Sequence, residues 1–268
     1  MKRGLSVANF GSYAEPRRFV DLARAAEDAG WDGVFVWDHL AFVWGPPSAD
    51  PWTLLAAAAT TTVRIRLGTG VTPVARRRPQ VLANQVATLD RLSGGRVVFG
   101  AGLGGGHGEF SRFGENEDEH VRAEQLDEGL VLLRRWFDGE RITHRGAHYS
   151  VDDVVLQPPP LQAHLPIWIG GNAPRALRRA VRHDGWAPNT ASPDGMTMSA
   201  DELATRLRDL DHADRFDVAV HGYGDRTDSA AYEKAGATWW LETIHDRRGT
   251  YDELLALVRR GPVVAPAR

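Results

Sequence analysis

The stretch IRLGTGVTPVARRRPQVLANQVATLDRLSGGRVVFGAG, residues 65–102, holds the fold in miniature. It opens on a short apolar run, Ile65 to Val71, and closes on another, Val97 to Gly102. Runs of this kind, bounded by small and polar residues, read as buried strands. Between them Val81, Leu82, Val86, Leu89 and Leu92 recur on one face of a 3.6-residue period, which Ser93-Gly94-Gly95 ends. A strand, a returning helix and a second strand make one βαβ unit, and the two strands of such a unit run parallel.

Outward from this unit the pattern repeats. Leu5 to Asn9 and Gly33 to Asp38 read as strands, separated by the apolar face Phe19, Leu22, Ala23, Ala26 and Ala29. Toward the other end, Pro166 to Gly170, Gly185 to Asn189, Phe216 to His221 and Thr238 to Thr243 bring the count to eight. The long interval between Val97 and Pro166 predicts an insertion after strand 4. It contains the loop Gly104-Gly105-Gly106, a helix marked by Leu126, Leu130, Leu133 and Phe137, and an irregular stretch from Gly139 to Pro160. Acidic Glu117, Asp118 and Glu119 stand at the positive end of that helix. The fold expected is α/β, a (β/α)8 TIM barrel forming one domain over residues 1–268, with its reactive face at the carboxyl ends of the strands.

Composition narrows the chemistry. There is no cysteine, so thiolate nucleophiles, thiolate metal sites and disulfides are excluded. A net charge of −3 with scattered basic residues offers no field for nucleic acid or an anionic membrane, which leaves a small-molecule substrate. No apolar run approaches the roughly 20 residues that cross a bilayer. Leu5 to Phe10 is too short for a signal-peptide core, so a cytoplasmic address is expected. The histidines show neither His-x-His nor His-Glu-x-x-His spacing, and no metal is expected.

Several motifs carry a family resemblance. Glu27-Asp28-Ala29-Gly30-Trp31-Asp32-Gly33-Val34, Trp37-Asp38-His39, Leu67-Gly68-Thr69-Gly70-Val71-Thr72-Pro73, Arg77-Arg78-Pro79, Ala87 through Arg96, and Pro166 through Gly171 follow one another in this order. Together they resemble the bacterial luciferase-like monooxygenases over roughly residues 5 to 190; beyond Asn189 the likeness is weak and the chain is short. The resemblance implies a flavin-type oxidoreductase or monooxygenase. Such enzymes use FMN, usually with a separate flavin reductase, or the deazaflavin coenzyme F-420, and the Gly-Thr-Gly-Val-Thr-Pro stretch is more similar to the F-420 branch. It also implies a homodimer.

The same resemblance selects residues. Asp38 and His39 close strand 2, where side chains reach the barrel mouth. His39 is the catalytic candidate, because imidazole titrates near neutrality and can hold or release a proton. Cofactor contacts are expected from Asp38, Thr69, Gly70, Val71, Gly102, Gly170, Gly171 and Asn172, and substrate contacts from Trp44 and Glu109. Thr69 to Val71 lie where the family carries a bulge, often with a non-proline cis peptide, against the flavin ring. Gly170, Gly171 and Asn172 precede Pro174, which suits a helix start where bare backbone can hold phosphate oxygens. Arg76, Arg77 and Arg78 stand before a helix whose positive end they oppose, which suggests an anionic partner, although a solvated charge run is the ordinary alternative. Gly105 occupies the place of a catalytic glutamate in sugar-phosphate-oxidising deazaflavin relatives, which disfavours that substrate. The competing readings are a flavin-binding barrel without turnover and, less favoured, a metal-dependent hydrolase.

Overall fold

The computed structural model describes residues 1–41, 45–105, 108–208, 210 and 215–262. Its eight parallel barrel strands are β1 (Lys2–Val7), β2 (Gly33–Val36), β3 (Arg66–Thr69), β4 (Val97–Gly102), β5 (Ile167–Gly170), β6 (Gly185–Ala187), β7 (Asp217–Gly222) and β8 (Trp239–Ile244). They hydrogen bond in the order β3-β2-β1-β8-β7-β6-β5-β4, and pairing of Leu67 and Gly68 with Val97 and Val98 closes the ring. Outside it run α1 (Pro16–Asp28), α2 (Pro51–Ala59), α3 (Pro79–Leu92), α4 (Glu119–Phe137), α5 (Pro174–Ala180), α6 (Ala200–Arg208), α7 (Ser229–Lys234) and α8 (Tyr251–Arg259).

Three aromatic rings join the branched aliphatics Val98 and Leu241 in filling the barrel, whose interior in such folds is usually aliphatic. Phe35 stacks on Trp168 at 4.9 Å between ring centres, and Trp239 meets both edge-on at 5.5 and 5.4 Å. Glycines in the strands make the room. A Cβ at Gly33 would stand 2.7 Å from the Phe35 ring, and one at Gly185 would stand 2.6 Å from both Trp168 and the Asp217 carbonyl. Around this plug a second core joins strands to helices through Phe19, Leu22, Leu55, Leu82, Val86, Leu126 and Leu133, all buried. Each such side chain contributes about 1.5–3 kcal/mol on leaving water.

Polar clasps hold the amino-terminal side of the barrel. Buried Arg96 donates to the carbonyls of Ala59, Thr62, Ile65 and Ser93, so one side chain ties the end of α2 to the start of β3. Asp90, fully buried at the end of α3, accepts from the amides of Val97, Leu161 and Gln162. Such groups stay buried because every charge has its partner.

Two expected elements change and one is new. The run from Ile65 to Val71 stops pairing at Thr69 and resumes as Thr72–Pro73 against Ala101 and Gly102, and the interruption carries a cis Gly70–Val71 peptide, as the resemblance implied. The irregular stretch from Gly139 to Pro160 contains an antiparallel hairpin, Arg141–Arg145 with Ser150–Val155, whose largely exposed faces gave no alternating apolar signal. Helix α2, for which the sequence shows no helical stripe, is apolar nearly all round; Asp50 caps it by accepting from the Thr53 amide at 2.8 Å.

Candidate functional site

At the carboxyl ends of the strands a cavity of about 1610 Å³ opens, lined by Asp38, His39, Gly70, Val71, Gly102, Glu109, Gly170, Gly171 and Asn172 among others. Thr69 does not reach it: this residue is 1% exposed, and its hydroxyl donates to the Gly100 carbonyl at 2.9 Å while accepting from Thr72. Trp44 lies outside the described residues.

The floor is built around Val71. Its methyl groups lie 3.2, 2.6 and 2.8 Å from where Cβ atoms would stand at Gly100, Gly102 and Gly170. The absence of three side chains on β4 and β5 therefore seats one valine, and leaves a smooth bed beside the Gly70–Val71 peptide. Such bare backbone admits a flat ring close to the strand ends.

One wall is an acid–base pair. The His39 ring, a quarter exposed, contacts the Glu109 carboxylate through Nδ1 at 3.0 Å. Its backbone is clamped by Asn9, whose Nδ2 donates to the His39 carbonyl at 2.7 Å and whose Oδ1 accepts from the His39 amide. Glu109 is 4% exposed and also accepts from the Leu40 amide at 3.0 Å and from Arg76 Nη1 at 3.3 Å. Burial pushes its carboxyl up, but His39, Arg76 and the Leu40 amide outweigh this and hold its pKa below the ordinary value. Arg76 is fixed by Glu115 at 3.0 Å and by the Phe110 ring, 4.1 Å beneath its guanidinium.

Two members of the charge run, Arg76 and Arg77, thus find anions within the chain. Arg77 Nη2 donates to both oxygens of buried Asp38, at 2.8 and 2.9 Å, so that carboxylate is already engaged. Asn172 lines the cavity. It does not cap α5; its amide donates to the Asn189 carbonyl at 2.7 Å and accepts from the Asn189 amide, tying the loops after β5 and β6 together. Beyond it, Arg175 and Arg178 line the rim as exposed cations, with neither an ion pair nor a hydrogen bond recorded to another described residue. Arg179, by contrast, is buried and paired with Asp127 at 2.6 and 2.8 Å.

The opposite wall holds groups not selected from sequence. His221 on β7 contacts the Ser6 hydroxyl at 2.9 Å, and Trp37 Nε1 donates to that same oxygen at 2.8 Å. His245, just past β8, contacts the Tyr223 hydroxyl at 3.0 Å, which in turn donates to the Ser192 carbonyl. Burial lowers both imidazoles to about 4, helped at His245 by Arg248 and Arg247, so both are neutral at pH 7. The Trp37 ring stands between His39 and His245 at 6.1 and 6.0 Å. A signal was present: polar residues at the carboxyl ends of barrel strands read as functional, and Ser6, His221 and His245 all stand there.

Ligand pockets commonly span about 300–1,000 Å³. This cavity exceeds that range and has room for more than one small molecule. Among the described residues, no three His, Asp or Glu side chains are grouped to hold a metal ion, and no helix is long and apolar enough to cross a membrane.

A sequence model of the family described as luciferase-like monooxygenase matches residues 2–261. The chain is 36% identical over 201 residues to an F-420-dependent glucose-6-phosphate dehydrogenase of Nakamurella multipartita, covering 72% of this chain and 58% of that protein. It is 33% identical over 206 residues to a putative coenzyme F-420-dependent oxidoreductase of Mycobacterium tuberculosis, covering 72% and 56%. The chain therefore spans little more than half the length of these curated relatives. Among solved structures, the coenzyme F-420 dependent tetrahydromethanopterin reductase from Methanopyrus kandleri superposes with a TM-score of 0.77 over 97% of both chains, at 18% identity, a likeness of fold. A monooxygenase from Streptomyces bottropensis does so with a TM-score of 0.69 over 96% of this chain and 79% of that one, at 25% identity.

Proposed function

The chain belongs to the luciferase-like monooxygenase family, and from that membership we propose that it is an oxidoreductase moving a hydride between coenzyme F-420 and a small organic substrate. The observation that carries the reading is the juxtaposition of the glycine-lined bed at Gly70–Val71 with a proton carrier, His39, held by a buried carboxylate in the same cavity. The relatives named for F-420 favour the deazaflavin over FMN.

Coenzyme F-420, when bound, supplies the two-electron acceptor or donor. The residues of this chain do the rest. Gly70, Val71, Gly102 and Gly170 shape the bed for the ring, and Arg175 and Arg178 at the rim provide charge for an anionic tail. When a carbinol substrate loses hydride from carbon, its hydroxyl proton passes to the imidazole of His39; in the reverse direction His39 returns it. Ionised Glu109 keeps a proton on Nδ1, directs the other nitrogen to this exchange, and stabilises the imidazolium. Asp38 acts through Arg77, fixing the loop that carries His39. Gly105 has no side chain to serve as an acid or base, so the sugar phosphate of the first relative is not carried over.

The test is titration of the protein with F-420 and separately with FMN, by fluorescence, followed by F-420 reduction against a panel of alcohols. Micromolar F-420 binding tighter than FMN is expected. His39→Ala should keep that affinity and lose roughly 10²–10⁴-fold in turnover. If neither flavin binds, the proposal fails.

A further inference from the structure

His221 is used by nothing described so far, yet it lines the cavity beside the bed: its Cε1 lies 3.6 Å from where a Cβ would stand at Gly70. We propose that His221 is a second ligand-facing group, fixed by Ser6 as the Nε2–H tautomer and donating that N–H to an acceptor atom of the ring seated on Gly70–Val71. The inference rests on the cofactor reading above and adds to it a group that reads the ring.

The tautomer follows from counting donors. Indole N–H can only donate, and Trp37 gives its proton to Ser6 Oγ. Ser6 is fully buried, and among the described residues its hydroxyl has one other contact, His221 Nδ1 at 2.9 Å. A buried hydroxyl proton needs an acceptor, and the available one is that nitrogen. Nδ1 therefore accepts, and the imidazole proton sits on Nε2, for which the structure records no protein partner among the described residues. The backbone that carries the ring is held in place, since Thr190 Oγ1 donates to the His221 carbonyl at 2.6 Å and accepts from its amide at 2.9 Å, and the Ser6 contact sets the ring itself. The low pKa of about 4, from burial, keeps this donor neutral across the physiological range. A neutral N–H suits a carbonyl oxygen or ring nitrogen, of which a deazaflavin has several, and does not attract a phosphate as a cation would.

Two measurements decide it. In the ligand-free, ¹⁵N-labelled full chain, long-range ¹H–¹⁵N spectra at pH 7 should show His221 as the Nε2–H tautomer, and Ser6→Ala should release it to a mixture. In F-420 titrations, His221→Phe should weaken binding about tenfold and displace the absorption band of the bound cofactor. His221→Gln, which can place an N–H near the same point, should recover affinity to within about threefold and restore the band. An Nδ1–H tautomer in the wild type, or a His221→Phe protein with unchanged affinity and band, overturns the inference while leaving the cofactor reading intact. A wild-type chain that binds no F-420 overturns both.

Discussion

Glu109 and His39 act as one unit, and the unit explains why so acidic a residue is buried at the mouth. The carboxylate has three partners among the described residues, His39, Arg76 and the Leu40 amide, and the Glu109 backbone carbonyl accepts from Arg76 as well. Glu109→Gln keeps the shape and removes the charge. Turnover should fall by roughly 10–100-fold while F-420 affinity stays within about threefold, because the lost interaction supports the proton carrier rather than the ring. A matched fall in affinity would sink this assignment. Sequence selected Glu109 as a substrate contact from its place in the loop; its partner was hidden, since 70 residues separate it from His39. Arg76 and Arg77 were legible as unfavourably placed cations, but the anions that explain them, Glu109, Glu115 and Asp38, become neighbours only once the barrel closes. His221 stood out by no spacing to another histidine, and its partner Ser6 is 215 residues away in the chain.

At the scale of elements, strands of this barrel are defined as much by what they lack as by what they carry. Gly185→Ala would drive a methyl against both the Trp168 ring and the Asp217 carbonyl at 2.6 Å. Neither can retreat in a packed interior, so we expect a loss of about 1–3 kcal/mol, read as a lower urea midpoint with an unchanged slope. Helix α5 offers a contrasting case. Arg175 and Arg178 are exposed, so their attraction for an anionic ligand is screened. Replacing both by alanine should weaken F-420 binding about fivefold at low salt and hardly at all in 0.5 M salt, and a salt-independent loss would assign them another role. The eight strands were legible because each is a short apolar run closed by small residues. The hairpin at 141–155 and helix α2 were not, since one is polar on most of its surface and the other apolar on nearly all of it.

The molecule as a whole responds to acid through its buried imidazoles. His183, His221 and His245 each have a folded-state pKa near 4, lowered mainly by burial from the ordinary 6.5. The unfolded chain takes up these protons first as pH falls, so the stability they represent is complete above pH 6.5 and drains away toward pH 4. Glu109, with its lowered carboxyl pKa, adds a loss of the same sign below its ordinary 4.5. Denaturation midpoints should drop steadily from pH 7 to pH 5. His183→Gln, remote from the cavity, should reduce the loss over that interval by about 2 kcal/mol. A midpoint independent of pH there would show that the imidazoles are hydrated in the folded state.

The seating of Val71 among Gly100, Gly102 and Gly170 bears on how this barrel can change over time. A side chain added at Gly102 or Gly170 collides with the valine, one added at Gly100 collides first with the Thr69 carbonyl, and a smaller residue in place of Val71 opens a hole that only a compensating change elsewhere would fill. The four positions therefore form one mutational block on which single steps meet a barrier. In a saturation library selected for ligand binding they should tolerate almost nothing individually, while paired replacements, such as a smaller residue at Val71 with alanine at Gly102, should reappear among the survivors. New specificities would then arise on the loops above, leaving this bed as the part that variation passes over.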